Sequence, residues 1–88
     1  MSDFLHDLEA LDEAKWSLCF REQPDTREPW LRANWEKYEL VLTCSKFGKG
    51  CHQEFTALAR FADSPESLQA AKERVVRRCA RALLPKRK

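Results

Sequence analysis

Apolar residues recur along this chain in four stretches cut by a small number of glycines and prolines. Gly48 and Gly50 are the two glycines, and Pro24, Pro29, Pro65 and Pro85 the four prolines, so the segments fall at about 3–23, 30–47, 52–62 and 66–84. The last has the clearest signals. Ser64 is a good N-cap, Pro65 suits the first helical position, and Glu66 complements the positive end of the helix dipole. Leu68, Ala71, Val75, Cys79, Ala82 and Leu83 then recur at helical spacing, with Arg74, Arg77, Arg78 and Arg81 on the opposite face. The pattern predicts an amphipathic helix carrying an arginine stripe.

The other three stretches also read as helices. Leu31, Trp35, Tyr38 and Leu42 follow i, i+4, i+7, i+11 spacing, with Asp25 or Thr26 as candidate caps and Gly48 as a terminator. Phe55, Leu58, Ala59 and Ala62 share one stripe. Ser2 is a candidate cap for Phe4, Leu8, Leu11 and Leu18, though Lys15 interrupts that line and marks a break near Asp12. The favoured expectation is therefore an all-α fold, a small bundle of about four helices.

A second pattern competes with it. Tyr38, Leu40, Leu42 and Cys44 alternate with Glu39, Val41 and Thr43. Beyond a Ser45–Gly50 loop, Cys51, Phe55, Ala57, Ala59 and Phe61 keep one parity, broken by Gln53. Trp16, Leu18 and Phe20 supply a third alternating run. This alternative is α+β: a helix, a three-stranded antiparallel sheet and a helix. Composition favours helices, because Ala, Leu, Glu, Lys, Arg and Gln number 49 while Val and Thr number 6 and isoleucine is absent.

Eighty-eight residues make one domain, expected over 1–85, with 86–88 as a basic tail. The mixture of 43% apolar and 34% charged residues is that of a globular protein rather than a disordered one. No run is long and apolar enough to cross a membrane, and Met1–Phe4 lacks the marks of a secretory signal, so a cytoplasmic protein with no membrane partner is expected. In that compartment Cys19, Cys44, Cys51 and Cys79 are thiols, best read as small core residues. Their spacing is irregular for zinc, and a Cys44–Cys51 disulfide would need an oxidising compartment.

Charge changes the picture more. Residues 1–28 hold eight acids against three bases, while residues 72–88 hold eight bases against Glu73. Such polarity is used within the fold, between two copies as a homodimer, or on a charged partner. Catalytic chemistry has no foothold. Cys51 and His52 are neighbours in sequence, which does not bring their side chains together, and no phosphate loop or nucleophile elbow is present. No catalytic residue, metal or cofactor is assigned, and a non-enzymatic role is expected.

The expectation is a small accessory or regulatory protein that binds and masks another protein. Arg74, Arg77, Arg78 and Arg81 would steer an acidic surface and Trp30 would anchor it. The alternative is non-specific nucleic-acid binding by the same stripe, with Lys46, Phe47 and Lys49 and the tail Lys86, Arg87 and Lys88 adding phosphate contacts and stacking.

Overall fold

In the computed structural model, residues 3–25, 37–48 and 50–84 are described. Their order is helix α1 (Asp3–Glu13), strands β1 (Ser17–Pro24), β2 (Tyr38–Gly48) and β3 (Cys51–Phe61), and helix α2 (Pro65–Leu83). The strands form one antiparallel meander in the order β1-β2-β3. The chain is thus α+β and not a helical bundle; the alternating pattern prevails over the helical one in the two middle stretches.

The reason lies in which residues are buried. Leu40, Leu42 and Cys44 are fully buried on one face of β2, as alternation requires and a helical stripe through Tyr38 and Leu42 does not. On β3, Ala57, Ala59 and Phe61 face the same core, while Leu58, placed on the helical stripe by spacing, lies on the other face and is 44% exposed. The two strands pair over their whole length, with Gly48 opposite Cys51. The connection is thus shorter than the expected Ser45–Gly50 loop, because Ser45–Gly48 belong to β2. Gly50 has φ +64°, a conformation that tight hairpins need and that glycine adopts at little cost.

The first stretch also divides. Helix α1 ends in a tight six-to-one closure: the Trp16 N–H donates to the Leu11 carbonyl at 3.0 Å and the Lys15 N–H to Asp12 at 2.9 Å. Lys15, the residue that interrupted the apolar line, takes φ 72°. The chain then reverses into β1, and Leu11 and Trp16 enter the same core.

Helix α2 begins as its sequence predicts. The Ser64 hydroxyl accepts from the Ser67 N–H at 3.1 Å, and the Ser67 hydroxyl accepts from the Ala62 N–H at 2.8 Å. Ala71, Val75, Val76, Cys79 and Ala80 are its buried residues. Leu68 and Leu83 are half-buried and Ala82 is exposed, so the core face lies slightly to one side of the expected one. α2 packs across β3 and β2 and also against α1. Alanines at 57 and 59 suit a helix crossing the sheet closely.

The other face of the sheet carries a polar cluster that helical reading could not find. The Arg60 Nε meets Asp25 Oδ2 at 3.2 Å and its second guanidinium arm lies 3.6 Å from Glu39 Oε2. Glu39 also accepts from the Gln23 amide at 3.1 Å. Asp25, a candidate helix cap by sequence, instead follows β1, where its N–H donates to the Lys37 carbonyl at 2.9 Å.

Candidate functional site

Every side chain around the molecule's arginine hollow comes from α2. Ala70, Glu73, Arg74, Arg77, Arg78 and Arg81 enclose an open depression of about 430 Å³ on the outer face of that helix. The small side chain of Ala70 leaves the floor at one end, and arginines at i, i+3, i+4 and i+7 form the walls.

Two of the four arginines are held from outside the helix. Arg74 Nη2 donates to the Arg60 carbonyl at 2.9 Å, and Arg78 Nη1 donates to the Leu58 carbonyl at 2.9 Å. Both acceptors lie on the outer edge of β3. Four residues of helix rise by about 6 Å and two residues of strand by about 6.6 Å, so the periods match over this pair. A guanidinium has five N–H donors in a planar fork, so each group still presents donors outward after this bond. Arg77 and Arg81 are exposed and make no ion pair among the described residues. Glu73, held by the Gln69 amide at 3.3 Å, is the single carboxylate of the hollow.

Other predicted residues fall elsewhere. Lys46 sits with its ammonium 5.6 Å from the centre of the Trp16 ring. The Phe47 ring stacks on His52 at 4.5 Å between centroids and is 73% exposed. Both stand at the β2–β3 hairpin end, about 20 Å along β3 from the carbonyl that holds Arg78. The structure does not join them to the arginine hollow. Trp30, Lys49, Lys86, Arg87 and Lys88 lie outside the described residues, as do Leu31 and Trp35.

The acidic helix α1 is a neighbour of α2. The helices pack together, yet no ion pair joins them among the described residues. The cysteines also separate. Cys44 on β2 and Cys79 on α2 are buried in the same core; Cys19, expected near the core, is exposed along with Cys51. Burial pushes both the Cys44 and Cys79 thiols upward, which keeps them protonated and unreactive. Cys51 pairs with Gly48 and Cys44 with Phe55, so the two are not cross-strand partners, and all four cysteines are free.

No protein-family model matches this chain, and no curated protein or solved structure matches it either. No helix among the described residues is long and apolar enough to cross a membrane.

Proposed function

We propose that this chain is a binding module that docks an acidic protein surface on the outer face of α2 and masks it. The supporting observation is the arginine hollow itself: four guanidinium groups surround one depression, two of them positioned by β3 carbonyls, with a single opposing carboxylate. Arginine forks match carboxylates in a bidentate way, and preorganised side chains lose less entropy on binding. The hollow runs from Ala70 to Arg81, about 17 Å of helix, which suits a few carboxylates. A longer phosphate track has no continuation here, because Lys46 and Phe47 are engaged at the far end of the hairpin.

The test is calorimetric titration with a polyglutamate peptide and with single- and double-stranded DNA and RNA, at about 50 and 200 mM salt, where phosphate contacts lose most affinity. The acidic peptide should bind, and Arg77→Glu with Arg81→Glu should abolish its binding without moving the melting temperature. Nucleic acid binding tighter than the peptide, through the same arginines, overturns the proposal in favour of phosphate recognition. Absence of both binding events overturns it outright.

A further inference from the structure

The outer edge of β3 is closed along half its length and open along the other half. Alternation in an antiparallel pair gives each residue an N–H and C=O pointing either toward its neighbour or away from it. Gly48 and Cys51 close the hairpin, so Cys51, Gln53, Phe55, Ala57 and Ala59 bond to β2. His52, Glu54, Thr56, Leu58 and Arg60 therefore point outward. The bonds from Arg74 and Arg78 to Arg60 and Leu58 establish that parity independently.

The arginine ladder stops there. One more step of four residues along α2 reaches Ala82, which has no donor to offer the Thr56 carbonyl. The backbone groups of His52, Glu54 and Thr56 that face outward form no hydrogen bond to any described part of the chain. Their side chains carry little that blunts an edge: His52 and Glu54 pair with each other at 3.8 Å, and no proline or inward charge interrupts the strand. The outer edge of β1 is different, because it ends on Pro24, which has no N–H to donate.

We infer that the acidic partner binds as an extended segment, adding a fourth strand to β3 along His52, Glu54 and Thr56. This rests on the docking reading above and gives the partner its conformation. An added strand that passes Thr56 meets Arg78, which blocks pairing further along the edge. Alternate side chains of that strand face the α2 side of the sheet, and those at its Thr56 end come up to Arg78, anchored one strand step further on at Leu58; carboxylates there match its charge. Main-chain bonds supply affinity and the arginines supply the choice of acidic sequence.

The probe is a synthetic ten-residue peptide of alternating glutamate and threonine, with two counterparts N-methylated at either the glutamates or the threonines. All three carry the same charge, and the protein is unmodified, so no variant has to fold. Strand addition requires one alternate set of amides to face β3. Methylation of that set should weaken binding by about tenfold or more, and methylation of the other set should leave binding unchanged. In parallel, amide exchange measured by NMR should slow at His52, Glu54 and Thr56 when the unmodified peptide is present. Equal binding of all three peptides, with no added protection at those amides, overturns strand addition and leaves the arginine docking intact. Failure of the unmodified peptide to bind overturns both.

Discussion

Lys15 shows what a single residue's conformation costs. Its φ of 72° is one that L side chains adopt with a penalty, and the residue is exposed. Lys15→Gly should raise stability by about 1 kcal/mol, read as a rise of several degrees in the thermal midpoint. Its role was half-legible in the sequence: the break in the apolar line marked the helix end, but not the left-handed turn that makes it. The cysteines make a second case. Cys44 and Cys79 are fully buried, and desolvation raises both thiols above their ordinary value of 9.0. In the unfolded chain they release protons near pH 9, while the folded chain holds them. Their stabilising contribution is therefore complete below that pH and is lost as pH rises above it, by up to about 1.4 kcal/mol per unit for each thiol. Melting curves from pH 8 to 10.5 should fall steeply, and the fall should be shallower in Cys79→Ala, although that variant starts less stable.

At the scale of elements, α2 was legible because several signals agreed there: cap, proline, dipole charge and a long 3.6-residue period. β2 and β3 were not settled by period alone. Tyr38 and Leu42 fit both a helical and an alternating pattern, and only Leu40 and Cys44 separate the two. A general richness in straight-chain residues pointed the wrong way, since Ala57 and Ala59 are in β3 to let α2 approach, and their helix propensity is irrelevant to that role. The arginine stripe was visible from spacing. Its use of Leu58 and Arg60 carbonyls was not, because those acceptors become an edge only once the strand order is known.

Across the whole molecule, the charge asymmetry of the sequence survives as two adjacent helices of opposite character without a direct ion pair among the described residues. What joins the three strands on the far face is Arg60, between Asp25 beyond β1 and Glu39 on β2. Both carboxylates are buried, and Arg60 is a cation they share. Arg60→Met should cost about 2 kcal/mol, less than a fully buried pair would, because the arginine side chain is 37% exposed. Equilibrium urea unfolding, with the slope checked for constancy, measures it.

The match between α2 and β3 also constrains how this chain can vary. Arg74 and Arg78 reach alternate carbonyls because four helical residues advance about as far as two strand residues. Inserting one residue between them would swing Arg78 about 100° around the helix, away from the strand. Deleting one between Leu58 and Arg60 would turn the second carbonyl inward and send every later side chain of β3 to the opposite face. The two intervals are meshed like gear teeth: their lengths are fixed together, and a change of length in either would have to be answered by a change in the other.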